Sequence, residues 1–245
     1  FSKIAVLTGA KEGIIHKEFH LSTGDPKLIG VDRVKVIGNT NFDIADQLSD
    51  MGMEAIHAKA AKEMEYKDIP IRVKNAFEPE HPGTLISRAY VSPKPRVEMI
   101  CGRNDLLALE VYDPEMVGEP GYDHRLTRHL AEFGINYIAK TTNANTIEHF
   151  IPQKSKRLQE CIESIKKEFP SAETHCEEVG IVSVIGTNMK IPGFLSRAAN
   201  ALAAAGVNVL ALDQTLRQIN IQFMVSRSDF ETTQKALHDE FVEKD

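Results

Sequence analysis

The strongest constraint on this chain is an internal echo. The string Pro120-Gly121…Leu130-Ala131…Gly134-Ile135-Asn136 returns as Pro192-Gly193…Leu202-Ala203…Gly206-Val207-Asn208, and every matched residue lies 72 positions on. Arg125/Arg197 and Ala139/Ala211 keep the same register. A repeat of this length is one supersecondary unit built twice. It divides the chain into a duplicated C-terminal part and an unrelated first third.

Composition narrows the function classes. A chain of 245 residues holds one large domain or a few small ones. With 42% hydrophobic and 26% charged residues it has the make-up of a soluble globular protein. The net charge of -6 argues against nucleic acid as main partner, because phosphate neutralisation needs a basic face. No apolar run approaches the roughly 20 residues that span a bilayer, and no signal-peptide pattern is present. Cys101, Cys161 and Cys176 form no motif, and an odd count fits a reducing cytoplasm. Residues 1–10 read as the tail of a helix ending near Gly9, which suggests a piece of a longer protein.

In the first third, residues 13–18 read as a short buried strand, followed by the turn Ser22-Thr23-Gly24-Asp25-Pro26. Asn41 is placed to cap a helix carrying Ile44, Leu48, Met51 and Ala55 on one face. Residues 69–74 and 84–86 read as strands around a turn-rich loop, and Ser92-Pro93-Lys94-Pro95 as a stiff polar linker. In the second copy, strand 181–185 precedes a helix from Pro192 to Ala205, which Gly206 terminates. Strands 207–212 and 219–225 follow, and Ser228 or Asp229 caps a last helix with Phe230, Leu237 and Phe241. The first copy repeats the order: strand 106–112, helix 122–133, strands near 135–139 and 147–151, and a helix presenting Leu158, Cys161, Ile162, Ile165 and Phe169. Each copy is thus β-α-β-β-α, one strand short of the ferredoxin-like pattern. Residues 173–176 supply the sixth element of the first copy. The second ends without one, so strand 97–101 is predicted to fill that place, with the first copy inserted within the second.

Chemistry-bearing motifs are few. His16 and His20 are four apart, but His16-Lys17-Glu18-Phe19-His20 lacks the helical H-E-x-x-H arrangement, and no metal site is predicted. No Walker loop, dinucleotide fingerprint or nucleophile elbow occurs. The hydroxyls and amides of the 22–26 turn suit phosphate or ribose, although such a strip is also an ordinary turn. Lys59, Lys62 and Lys67 read as a solvated helix face. The Pro-Gly helix entries have two readings. Free N–H groups there favour a carboxylate, and glycine permits close approach; equally, Gly121 and Gly193 serve only tight turns.

The duplicated unit, with its Pro-Gly entry and A-x-x-G-[IV]-N string, resembles the ACT domain, a sensor of amino acids. Gly52-Met53-Glu54-Ala55-Ile56-His57, the run Ile69-Pro70-Ile71-Arg72-Val73-Lys74-Asn75-Ala76-Phe77-Glu78-Pro79 and Pro82-Gly83-Thr84-Leu85-Ile86 are similar to the end of the aspartokinase catalytic domain. The wording Ile15-His16-Lys17-Glu18-Phe19-His20-Leu21-Ser22 looks like the branch associated with ectoine biosynthesis. The resemblance covers essentially the whole chain. It implies an α/β (α+β) fold: residues 1–90 as the end of an amino-acid-kinase domain, then ferredoxin-like βαββαβ ACT domains at 103–176 and 177–245, with strand 96–102 contributed to the latter.

The same resemblance implies transfer of the γ-phosphoryl of MgATP to the side-chain carboxylate of L-aspartate, giving 4-phospho-L-aspartate, by positioning and charge neutralisation. The family's catalytic lysine and aspartate-binding residues precede the segment matched here, so no catalytic residue is predicted, and the chain alone is expected to be inactive and to hold neither ATP nor Mg. Thr23, Asp25 and Pro26 carry over as nucleotide-binding positions. The usual Gly-Ala-Lys is here Gly52-Met53-Glu54, and the Pro-Arg after the histidine is Ala58-Lys59. The effector pocket maps onto Met116, Glu119, Gly121, Tyr122, Asp123, Asn136, Tyr137 and Thr142, with Gly193 and Asn208 as counterparts in the second copy. Ile138 stands where many members carry an acid for the effector's amino group, leaving Asp123 or Glu119 to substitute. Lysine or threonine as effector, a homodimer through the ACT units, and a cytoplasmic location complete the expectation. The alternatives are a free-standing amino-acid-binding regulator and a dimerisation module without catalysis.

Overall fold

The computed structural model describes residues 1–51 and 58–244. The stretch 52–57, with Ala55 of the predicted helix face and the Gly52-Met53-Glu54 departure, lies outside them, as does the side chain of Lys59; Lys62 and Lys67 are exposed.

The first segment contains α1 (Ser2–Thr8), β1 (Gly13–Lys17), α2 (Pro26–Ile29), β2 (Asn39–Thr40), α3 (Phe42–Asp50), α4 (Ala58–Tyr66), β3 (Ile71–Asn75) and β4 (Thr84–Ile86). Its four-stranded sheet runs β1-β3-β4-β2. Gly9 ends α1 in the left-handed region at φ 61°, and Asn41 accepts the Ile44 N–H at 3.0 Å to start α3. Strand β1 is not the buried strand expected. Among the described residues it is an edge strand paired with β3 alone, and Ile14 is 48% exposed. Gly13 is the buried position, because a Cβ there would lie 2.5 Å from the Met64 methyl and 2.6 Å from the Phe1 ring.

The duplicated part comprises β5 (Arg96–Tyr112), α5 (Tyr122–Glu132), β6 (Ala139–Thr142), β7 (Thr146–Pro152), α6 (Leu158–Glu168), β8 (Glu173–Thr187), α7 (Phe194–Ala204), β9 (Val209–Asp213), β10 (Asn220–Ser226) and α8 (Phe230–His238). One antiparallel sheet of order β6-β7-β5-β8-β10-β9 carries all six strands. The segments 97–101 and 106–112 are not separate elements but halves of the 17-residue β5; likewise 173–176 and 181–185 fuse in the 15-residue β8. Leu106 to Tyr112 pairs with Val179 to Glu173, and Arg96 to Arg103 pairs with Thr187 to Ile181. The first pairing closes the first copy's sheet and the second closes that of the second copy. Irregularities at 97/99 and 103/106 absorb the change of partner.

Alternation gives this sheet two covered faces. On the helix side, Ile221, Phe223 and Val225 pack with Phe194, Leu202 and Leu237 in the second copy, while Leu109 and Val111 pack with Leu126, Leu130 and Ile165 in the first. On the other side, Met99, Cys101, Ile181, Ile185 and Met224 join Ile44, Leu48, Ile71 and Ile86 of the first segment. The echo extends further in space than in the motif. Arg125 lies 4.9 Å over the Phe169 ring, and Arg197 lies 4.8 Å over Phe241, two aromatics again 72 apart.

Two strand starts and one cap differ from expectation. The G-[IV]-N string is a helix ending: Ile135 N–H reaches Leu130 C=O at 2.8 Å and Gly134 N–H reaches Ala131 C=O at 3.0 Å, and Val207 and Gly206 repeat this on Leu202 and Ala203. That is a Schellman closure, with Ile135 and Val207 as its buried apolar plugs, so the strands begin at Ala139 and Val209. Asp229 sits at the start of α8 but spends its carboxylate on the Ser226 hydroxyl at 2.9 Å. The 92–95 linker is pinned rather than loose: Ser92 N–H donates to Thr187 Oγ1 at 3.3 Å, and Asn188 Nδ2 donates to Ser92 C=O at 3.4 Å.

Candidate functional site

The 22–26 turn is built from its own polar groups. Ser22 Oγ donates to Gly24 C=O at 2.8 Å, and Asp25 Oδ1 accepts the Lys27 N–H at 2.9 Å, capping the four-residue α2 that Pro26 opens. Asp25 and Pro26 line a hollow of about 230 Å³ with Phe19, His20, Leu21, Ser22 and Lys27. Thr23 points away from it. It is buried, its hydroxyl 3.0 Å from His238 Nε2, and its C=O accepts the Ile100 N–H of β5 at 2.9 Å. Two of the three predicted nucleotide positions therefore share a hollow, and the third anchors the turn from behind. Phe19, His20 and Lys27 were not predicted; a cation and an aromatic flanking a polar turn were the available signal.

His20 and His16 do not converge. His16 is exposed, whereas His20 lies 4.1 Å from the His81 ring and 3.1 Å from Glu78. Among the described residues, His238, Asp239 and Glu243 bring three potential metal-ligand atoms within 4.8 Å of one another. The Arg33 guanidinium already bonds Asp239 and, at 2.7 Å, Glu243, so that place is held by an organic cation.

At the first copy's Pro-Gly corner, Gly121 takes φ 78° as the residue before α5, and Gly193 takes φ 111° before α7. An added Cβ would meet nothing within 4 Å at either place, so backbone shape and not crowding calls for glycine. The predicted effector residues of the first copy separate into four places. Met116 and Tyr122 belong to the core; the Tyr122 phenol donates to the buried Asp113 carboxylate at 2.7 Å, and burial together with that carboxylate pushes its pKa up. Glu119, 3.7 Å from Arg125, lies at the corner itself. Asp123, Asn136 and Tyr137 are exposed and lie near the starts of α5 and β6, where Asp123 accepts from Lys140 at 2.7 Å. Thr142 lines a hollow of about 190 Å³ where the edge strands β6 and β9 meet through Leu210. Asn208 is exposed. Tyr137 sets its ring edge-on to His149, 5.1 Å away, a wholly buried histidine that no sequence motif marks. Burial pushes the His149 pKa down to about 4.

Known proteins locate this arrangement. A family model described as ACT domain matches residues 182–241. The aspartate kinase Ask_Ect of Stutzerimonas stutzeri is 44% identical over 243 residues, 99% of this chain and 51% of its own length. Aspartokinase 1, chloroplastic, of Arabidopsis thaliana is 26% identical over 96% of the chain and 42% of its own length. Among solved structures, an aspartate kinase from Clostridium acetobutylicum superposes with TM-score 0.88 at 25% identity, covering 98% of this chain and 56% of that one. Aspartokinase III of E. coli, in complex with aspartate and ADP, gives 0.84 at 19% identity, covering 98% and 54%, a likeness of fold. The chain thus spans about half or less of the length of the curated relatives it matches. It is an aspartokinase homologue of mixed α/β fold, carrying a ferredoxin-like ACT domain.

Proposed function

We propose that this chain is the C-terminal part of an aspartate kinase that uses MgATP to phosphorylate the side-chain carboxylate of L-aspartate. The observation that carries the reading is 44% identity to an aspartate kinase along essentially the whole chain. The hollow at the 22–26 turn supports it, since Lys27, the polar turn and the Phe19 ring supply the cationic, hydrogen-bonding and aromatic surfaces an adenine nucleotide needs. Thr23, Asp25 and Pro26 remain the proposed nucleotide positions, with Thr23 acting from behind. Residues 1–90 form the kinase portion; 103–176 and 177–245 form two sensor units, the second completed by 96–102. The proposed effector positions are Met116, Glu119, Gly121, Tyr122, Asp123, Asn136, Tyr137, Thr142, Gly193 and Asn208, for lysine, threonine or a related amino acid, in a cytoplasmic homodimer.

One observation favours a second reading, a dimerising module that senses nothing: Asp123 and Glu119, the acids available for an effector's amino group, already face Lys140 and Arg125. Two assays decide. The complete polypeptide is expected to release ADP only when both ATP and L-aspartate are present, and the 245-residue chain is expected to show no turnover; aspartate-independent hydrolysis by the former, or appreciable turnover by the latter, contradicts the kinase proposal. Calorimetry with lysine and threonine is expected to show binding heat for one of them, and its absence for both leaves the dimerising module.

A further inference from the structure

The far end of the chain closes on the turn proposed to face the nucleotide. Lys35 N–H donates to Thr23 Oγ1 at 3.0 Å, and His238 Nε2 lies 3.0 Å from the same oxygen. A hydroxyl has a single proton, and with Lys35 supplying one hydrogen bond inward, donation of that proton to His238 Nε2 uses every group once. This places the imidazole proton on Nδ1, which faces Glu243 Oε1 at 3.6 Å. Burial of His238 lowers its pKa, in keeping with a neutral ring that accepts at Nε2.

The fit extends beyond one hydrogen bond. A Cβ on Gly24 would lie 3.1 Å from His238 Cδ2 and 3.0 Å from Ile29 Cγ1, so glycine lets the turn rest against the imidazole. Lys35 Nζ donates to Val242 C=O at 2.5 Å, and Arg33 clasps Asp239 and Glu243. Three cationic or polar groups of the first segment thus grip the last two turns of the chain. From the last helix, His238 supplies the side-chain hydrogen bond that reaches the 22–26 turn itself.

We propose that His238 is a positioning residue for the 22–26 turn, a group of the second copy that holds the nucleotide-facing loop of the first segment in its binding shape. The inference rests on the kinase reading for the identity of the ligand and on the hydrogen bonds alone for the clamp. It also gives the second copy a direct grip on the proposed nucleotide site, without passage through the sheet.

Amide hydrogen exchange on the 245-residue chain reads the clamp, and steady-state kinetics of the complete kinase reads its use. His238→Phe keeps an aromatic ring and removes the acceptor. It is expected to speed exchange of the Thr23 and Lys35 amides about tenfold, and to raise KM for ATP about tenfold with kcat and KM for aspartate within about twofold, the effect of one buried hydrogen bond. His238→Gln can place its amide oxygen where Nε2 was and is expected to restore both quantities. His238→Asn, too short to reach Thr23, serves in place of the phenylalanine variant should that one not fold. Unchanged exchange in a folded His238→Phe protein, or a glutamine variant that behaves like the asparagine one, overturns the clamp. Faster exchange with an unchanged KM for ATP overturns its role at the nucleotide. Faster exchange in a polypeptide that makes no aspartate-dependent use of ATP upholds the clamp and removes the kinase reading instead.

Discussion

His149 lies in the middle of β7 with no exposed surface, opposite Leu109 on one side and Lys140 on the other. Neither ring nitrogen meets a hydrogen-bond partner among the described residues. Burial disfavours the imidazolium most, and the Lys140 cation adds to it, so the folded-state pKa of about 4 lies below the value near 6.5 of an exposed histidine. The sign follows from linkage. A depressed folded pKa gives stability that is full above about pH 6.5 and is lost as pH falls toward 4, at about 1.4 kcal/mol per unit. Between pH 7 and pH 5 the chain is expected to lose roughly 2 kcal/mol through this residue alone. Urea titrations of wild type and His149→Leu across that range check it: the variant's stability should vary less with pH by about that amount, and parallel curves would sink the assignment. Sequence gave little warning, because a histidine within a β-rich stretch reads the same whether its face is wet or dry. Arg125 and Arg197 were legible as a matched pair, and the structure supplies their reason in the aromatic ring beneath each.

At the level of elements, the two helices entered at Pro-Gly corners were legible to within a residue or two, because their caps and apolar periods are local, whereas α2 was not anticipated at the end of the 22–26 turn. Asn41, Gly9 and Gly206 act as their chemistry suggests. Strands fared worse. The polar run Gly102-Arg103-Asn104-Asp105 reads as a break, yet β5 passes through it, since its pairing with β8 resumes after a bulge and pairing is not a local property. The same junction explains two glycines. A Cβ at Gly102 would come 2.2 Å from Ile181 C=O, and one at Gly180 would come 2.7 Å from the Phe230 ring that seats α8 on the sheet. Gly180→Ala is therefore expected to push α8 outward and cost about 1–3 kcal/mol, as overpacking does. Chemical denaturation measures this, and a change below about 0.5 kcal/mol would show that Phe230 yields freely.

Across the whole molecule, the order of elements in the duplicated part and the family resemblance were readable from motifs, while the meeting of first segment and last helix was not. Thr23 and His238 are 215 residues apart, and no pattern in either neighbourhood announces the other. The same holds where α3 meets the second copy, since Asn220 Nδ2 donates to Gln47 Oε1 at 2.8 Å and Arg217 bonds Asp43; within the sheet, the wholly buried Glu98 of β5 accepts from Thr187 Oγ1 of β8 at 2.9 Å. A shortened chain ending at Cys176 removes the strand that Arg96 to Arg103 pairs with, and so bares one edge of β5 together with part of the core shared with the first segment. It is expected to lose cooperative thermal unfolding and to aggregate, with circular dichroism and size-exclusion chromatography as the measurement; a soluble, cooperatively melting product would contradict this.

The shared strands make the first copy a parenthesis inside the second: the chain lays down one strand of the outer unit, completes the inner one, and then returns to finish. A parenthesis can be struck out and leave a sentence, whereas the clause around it cannot. Joining the first half of β5 to the second half of β8 by a tight turn would leave a closed outer unit still gripping the first segment, while no single excision removes the outer unit and spares the inner. In a lineage that shuffles such units, the inner copy is the one free to be lost or exchanged, and the outer copy is bound to the fate of the segment it clasps.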